Sequence, residues 1–150
     1  MLSFFLLKLY EGSLMLIKII LVDDSPEILS TLSKILASQN YNVIQSSNGI
    51  EGLEAIRSNQ DCQLIITDLN MPDISGLEMV SRLAEEGICL DVPKVILTTD
   101  FITKRENSNF MDKKGKKIGV RAWFLKSKEF FKEENVEHFL SIVREVLDGR

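Results

Sequence analysis

The sequence contains one histidine and two cysteines in 150 residues, has no surplus of positive charge, and lacks an apolar run long enough to cross a bilayer. With His138 alone, a three-histidine zinc centre is excluded, and any Ser-His-Asp triad would depend on that single residue. Cys62 and Cys89 build no disulfide framework and have no metal-ligand spacing, which fits a reducing cytosol. A net charge of -4 argues against a nucleic-acid binder, since such proteins carry an excess of Lys and Arg. The opening stretch MLSFFLLKLYEGSL (1–14) is broken by Lys8 and lacks both the basic leader and the small-residue cleavage site of an export signal. The expected location is therefore cytoplasmic, with no membrane association.

What is present suits one folded domain: 45% hydrophobic and 27% charged residues, in a chain long enough to bury a core without staples. Met15 begins MLIKIILVDD, which reads as a natural start, so residues 15–150 are assigned to the domain and 1–14 to an N-terminal extension. That extension is either the product of an upstream start codon or an extra apolar element that docks on the domain. Charge is uneven: Lys104, Arg105, Lys113, Lys114, Lys116, Lys117 and Arg121 are answered only by Glu106 and Asp112. Such a run is commonly a solvated helix face.

Short apolar runs alternate with helical spacing. The segments at 17–22, 41–46, 63–67, 94–98 and 122–125 are too short for helices, and several are apolar on both faces, as doubly covered strands must be. Ile28, Leu32, Ile35 and Leu36 share a helical face behind a Ser25 cap and Pro26. Ile50, Leu53 and Ile56 form a second stripe, and Leu77, Val80, Leu83 and Ala84 a third. Val136, Phe139, Leu140, Val143, Val146 and Leu147 form the last, stopped by Gly149. The pattern predicts an α/β fold, a doubly wound five-stranded parallel sheet with helices on both faces, whose ligands bind beyond the carboxyl ends of the strands.

Those ends collect chemistry. The first strand runs into Asp23 and Asp24, the third into Asp68 within LIITDLNMPDISG, the fourth into Thr98 and the fifth into Lys126. Each has an ordinary reading: a turn, a good strand former, a solvated lysine. Together they put three carboxylates at one edge, where one must take up a proton or a cation must sit among them. A hard divalent ion suits oxygen ligands, and Mg2+ accepts few carboxylates, with the Asn70 carbonyl as a further donor. Asp68 would then accept a phosphoryl group, whose oxygens the Thr98 hydroxyl and the Lys126 ammonium would share with the metal.

The motifs VDDS (22–25), TDLNMPDISG (67–76), ILTTD (96–100) and AWFLK (122–126) resemble the receiver domain of two-component response regulators over essentially residues 15–150. The resemblance implies a flavodoxin-like sheet of five strands with five helices. It implies that Asp68 takes phosphate from a histidine kinase or histidine phosphotransfer protein, that Asp24, Asp68 and the Asn70 carbonyl hold Mg2+, and that Asp23 assists through water. Thr98 and Lys126 then bind the phosphoryl group, and Trp123 occupies the aromatic switch position on the fifth strand. The output surface implied is the face of the fourth helix, fifth strand and fifth helix. The basic segment lies there and suggests an acidic partner.

Two features depart from the family. Ser127 replaces the usual proline after the lysine, which predicts a looser lysine, and the connections on both sides of the fifth strand are longer than usual. The last helix leaves no room for a helix-turn-helix, so direct DNA binding is not expected. GKKIGVRAWFLK resembles a stretch of single-domain chemotaxis receivers, which favours a stand-alone chemotaxis regulator over a phosphorelay intermediate. Two other classes compete. A Mg2+-dependent phosphohydrolase with an aspartate nucleophile would want an acid two residues after Asp68, where Asn70 stands. A phosphate-independent interaction module would have no need of the intact acidic set. The reading is thus a phosphoacceptor that assists its own phosphorylation and dephosphorylation, not an enzyme with an external substrate.

Overall fold

The computed structural model describes residues 7–10, 13–99 and 118–149. In chain order the elements are β1 (Leu7–Tyr10), β2 (Ser13–Leu16), β3 (Lys18–Val22), α1 (Pro26–Ser38), β4 (Asn42–Ser46), α2 (Gly49–Ser58) and β5 (Leu64–Asp68). They continue with α3 (Gly76–Glu85), β6 (Lys94–Thr98), β7 (Val120–Leu125) and α4 (Glu133–Asp148). Strands β3 to β7 form one all-parallel sheet in the order β4-β3-β5-β6-β7. Strands β1 and β2 pair antiparallel as a separate hairpin, with Leu7 opposite Leu16. The hairpin occupies part of the predicted N-terminal extension and reaches β3 through Ile17. The stretch 104–118, which is polar, has few apolar anchors and reads from sequence either as loop or as a short helix after an extended loop, falls almost entirely outside the described residues, as does most of the basic segment.

Side-chain alternation along the central strands divides the core in two. Ile19 and Leu21 of β3 join Leu32 and Leu36 of α1 with Phe139, Leu140 and Val143 of α4. Ile20 and Val22 point the other way, to Leu53 and Ile56 of α2 and Met79, Val80 and Leu83 of α3. Strands β5 and β6 are buried at every position, because helices cover both faces and other strands flank both edges. A fully buried Leu or Ile here is worth roughly 1.5–3 kcal/mol over leaving it exposed. Each predicted strand is found, with ends moved by a residue or two. The second stripe needs one correction: Ile50 is exposed, and the surface of α2 that meets the sheet is made partly by Gly52. A Cβ at Gly52 would lie 2.8 Å from Met79 Sδ and 2.9 Å from Val22 Cγ2, so the helix lies flush against β3 and α3 and turns Ile50 outward.

Ser25 caps α1 as predicted, its hydroxyl accepting from the Ile28 amide at 3.4 Å. Asn48 and Ser75 do the same for α2 and α3. From β3 the chain winds first to β4 and then back across to β5, so the winding reverses between β3 and β5. The carboxyl ends of β3 and β5 are therefore where a sheet of this winding binds its ligands.

Candidate functional site

Asp23 and Asp24 follow β3 at this switch point, and Asp68 closes the neighbouring β5. Asp23 is fully buried; its backbone N–H extends the ladder to the Ser46 carbonyl at 3.1 Å, and its Oδ1 accepts from the Ser25 amide at 2.9 Å. The start of α1 thereby orients the carboxylate that the strand places. Asp68 is the last residue of β5 rather than the first beyond it, because it is still paired with Leu97 in the ladder, and Leu69 N–H donates to the Leu97 carbonyl at 2.8 Å. It is buried, while Asp24 is exposed. Carboxylate oxygens of all three lie within 4.8 Å of one another.

Lys126 enters from the end of β7, positioned by its backbone N–H on the Thr98 carbonyl at 2.7 Å. Its Nζ lies 2.8 Å from Asp23 Oδ2 and 3.2 Å from Asp68 Oδ1, with 4% of the side chain exposed. With Ser127 in place of the usual proline, Lys126 bridges two carboxylates. Ser127 caps the following turn instead, its hydroxyl accepting from the Glu129 amide at 3.3 Å and its carbonyl from the Phe130 amide at 3.0 Å.

One ammonium facing three carboxylates leaves negative charge in surplus. Burial first, then the charge of Asp23 and a hydrogen bond with Asp24, outweigh Lys126 and push the Asp68 carboxyl up to about 7. A proton shared in this cluster is what the sequence predicts when no cation neutralises it. Hard oxygen donors with uncompensated negative charge, partly open to solvent through Asp24, fit Mg2+.

The loop after Asp68 is pinned from two directions. A Cβ at Gly76 would fall 2.2 Å from the Asp68 carbonyl oxygen, so only glycine lets α3 begin this close to the site. Asp73 accepts from the first amides of α2, Gly49 at 3.1 Å and Ile50 at 2.7 Å, tying the loop to the neighbouring helix. Sequence reasoning missed Asp73; an acidic residue in a turn carries no signal that its partner lies two elements earlier.

Thr98 ends β6, fully buried, opposite Leu125. Asn70 sits exposed at the start of the turn. Trp123 is half-buried on β7, packed against the core beneath α2 and α3, and its buried Nε1 has no hydrogen-bond partner among the described residues. His138 is exposed on α4, its ring 5.7 Å from that of Phe124. The lengthened connection after Lys126 is anchored by Phe130, 2% exposed, whose ring meets Phe124 edge-on at 5.2 Å. Among the described residues no helix is long and apolar enough to cross a membrane.

Comparison with known proteins matches residues 19–130 to the response regulator receiver domain. Chemotaxis protein CheY1 of Helicobacter pylori is 30% identical over 84 residues, covering 55% of this chain and 68% of that protein. Among solved structures, chemotaxis protein CheY4 of Vibrio cholerae aligns with a TM-score of 0.70 at 26% identity, over 88% of this chain and 99% of that one. Response regulator TrrA of Thermotoga maritima, solved in complex with Mg(2+)-BeF, aligns with a TM-score of 0.69 over 87% of this chain and 99% of that one. Its 24% identity speaks to the fold alone.

Proposed function

This chain belongs to the response regulator receiver domain family, and from that premise we propose that it accepts a phosphoryl group on Asp68 from a histidine kinase or histidine phosphotransfer protein and thereby switches binding of a partner. The observation that carries this reading is the buried Asp68 carboxylate, set among Asp23 and Asp24 and met by Lys126 at 3.2 Å. In the reaction an Asp68 oxygen attacks phosphorus, the bond to the donor histidine breaks, and that imidazole leaves with the electron pair. Asp24, Asp68 and the Asn70 carbonyl would hold Mg2+, with Asp23 acting through water. When bound, the metal neutralises the surplus negative charge and frees Asp68 to react as the anion.

The remaining work falls to the chain itself. Lys126, already within salt-bridge distance of Asp68, is placed to neutralise a phosphoryl oxygen as charge builds. Thr98, at the end of the adjoining strand, offers a hydroxyl. Gly76 and Asp73 hold the loop so that attack proceeds from one geometry. Movement of Thr98 toward the phosphoryl group would make room for Trp123, and the face of β7 and α4 would change its affinity for a partner. The chemotaxis relatives favour a stand-alone, cytoplasmic chemotaxis regulator. The basic run 104–121 favours an acidic partner surface, so replacing Lys113, Lys114, Lys116 and Lys117 with glutamate should abolish partner capture.

The direct test is incubation with Mg2+ and a small phosphodonor, read by intact mass. One phosphoryl group should be gained, and Asp68→Asn should gain none. A wild-type chain that stays unmodified, or an Asp68→Asn chain that is modified equally, overturns the proposal.

A further inference from the structure

The outer edge of β7 carries a surface that phosphotransfer itself does not use. β7 is the last strand of the sheet and, among the described residues, pairs only with β6. The Lys126 N–H donates to the Thr98 carbonyl at 2.7 Å, with Thr98 opposite Leu125. In a parallel ladder alternate residues face the neighbouring strand, so Phe124 also turns its backbone groups to β6, while Trp123 and Leu125 turn theirs to the outer edge. The Leu125 carbonyl accepts from the Ser127 amide at 3.2 Å. Among the described residues this leaves the Trp123 N–H and carbonyl and the Leu125 N–H as a ladder that no strand extends.

Beside that edge runs α4, and a cavity of about 350 Å³ lies between them. Phe124 and Phe130, both buried, give it an apolar floor, and Asn135, His138 and Ile142 line it from the helix. Asn135 is fixed there, its Nδ2 donating to the Glu129 carbonyl at 2.7 Å. The helix face that carries His138 also carries two exposed carboxylates, Glu134 one turn before it and Glu145 two turns after. Neither makes an ion pair among the described residues, and Lys132 is already paired with Glu129 at 2.9 Å.

A strand edge beside a helix, with an apolar cavity between them, is a geometry that takes an extended peptide as an added strand. We propose that β7 and α4 bind an extended segment of the partner in this way, with an apolar side chain in the cavity and a basic side chain two positions to either side of it. Side chains two apart in a strand share a face, so all three point toward α4. The outer two stand about 13 Å apart, close to the roughly 16 Å that separates Glu134 from Glu145 along the helix axis. The inference rests on the reading of this face as the one that switches partner binding, and the segment is distinct from the acidic surface proposed to meet the basic run. The strand that pairs with the peptide continues into Lys126, which bridges Asp23 and Asp68 and so joins the edge to the phosphoryl site.

The test uses the full chain and a panel of synthetic peptides of about seven residues built on the pattern basic-x-apolar-x-basic. Lysine stands at the basic positions, leucine, isoleucine or phenylalanine at the apolar one, and threonine between. Members of the panel should change the emission of Trp123 and slow amide exchange at Trp123 and Leu125 at least about tenfold. Glutamate in place of both lysines, or N-methylation of the peptide at the residues that face β7, should weaken binding at least about tenfold. Glu134→Lys together with Glu145→Lys, both on the exposed helix surface, should reverse the preference in favour of the glutamate peptide. Asp68→Asn should bind the panel as the unphosphorylated wild type does, and only the wild type should change its affinity with Mg2+ and beryllofluoride. Protected amides in a chain that never takes up phosphate support the added strand and overturn the switching reading alone. A chain phosphorylated on Asp68 in which no member of the panel protects either amide overturns the added strand. So does equal binding of the lysine and glutamate peptides, or of the methylated and unmethylated ones.

Discussion

Two buried lysines stand at opposite edges of the same sheet, and their surroundings differ in one respect. Lys126, at the carboxyl edge, meets Asp23 and Asp68 at 2.8 and 3.2 Å, while Lys94, at the amino edge, meets the Cys89 carbonyl at 2.5 Å. At the first edge the cation is outnumbered and the surplus negative charge calls for a second cation. At the second, among the described residues, no carboxylate lies within salt-bridge distance of the cation, and burial first brings the Lys94 ammonium down to about 8. What a buried charge does is set by the number and ionisability of the groups facing it, more than by its own chemistry.

The largest effect should come from breaking the carboxyl edge. Lys126→Met leaves buried carboxylates without their cation and should lower stability in urea by about 3–5 kcal/mol without metal. Mg2+ should recover part of that loss; a loss that Mg2+ leaves unchanged would mean that the metal and the lysine do not share the same charges.

A smaller effect concerns pH. The folded state holds the Asp68 proton up to about pH 7, whereas the unfolded chain releases it near the ordinary carboxylate value of 3.8. Stability from this group is therefore present at low pH and is lost as pH rises through about 7 in the absence of metal, by on the order of 1–2 kcal/mol. Mg2+ replaces that proton, so its stabilisation, read as the rise in melting temperature, should be larger at about pH 8 than at about pH 6. An equal rise at both would break the link between the proton and the metal.

Removing the amino-edge lysine should cost least. Lys94→Met keeps the volume and deletes a charge without a carboxylate partner, so stability at neutral pH should change by less than about 1.5 kcal/mol or improve. A loss as large as that of Lys126→Met would erase the contrast between the two edges. The finest probe is optical. Emission from Trp123, the only tryptophan, should respond first to Mg2+ and again to beryllofluoride, and Asp68→Asn should remove the second response.

The carboxyl edge was legible from sequence because strand ends in an alternating α/β chain fall on one side, so Asp23, Asp24, Asp68, Thr98 and Lys126 could be placed together without coordinates. The amino edge was not. Lysine at the start of KVILT reads as a solvated flank, and it is buried because β6 is an interior strand and because Gly119 and the left-handed Cys89 close over it. Cys62 and Cys89 show no spacing signal, since β5 and α3 lie between them. Phe130 was hidden in a connection that reads as polar loop, yet its ring joins Phe124 and Phe139 in the core. Ile50 fits the helical period but faces outward, because Gly52 lets α2 lie close to the sheet.

Periodicity and strand-end chemistry, which are local properties of the chain, determined the parallel sheet, the order of its elements and the acidic pocket. Only the tertiary structure decided which charges are buried and what faces them: that Lys126 bridges two carboxylates, that Asp73 ties the loop to α2, and that Lys94 is buried against the Cys89 carbonyl. Burial and pairing depend on residues distant in sequence arriving at the same place, and no local pattern records that meeting.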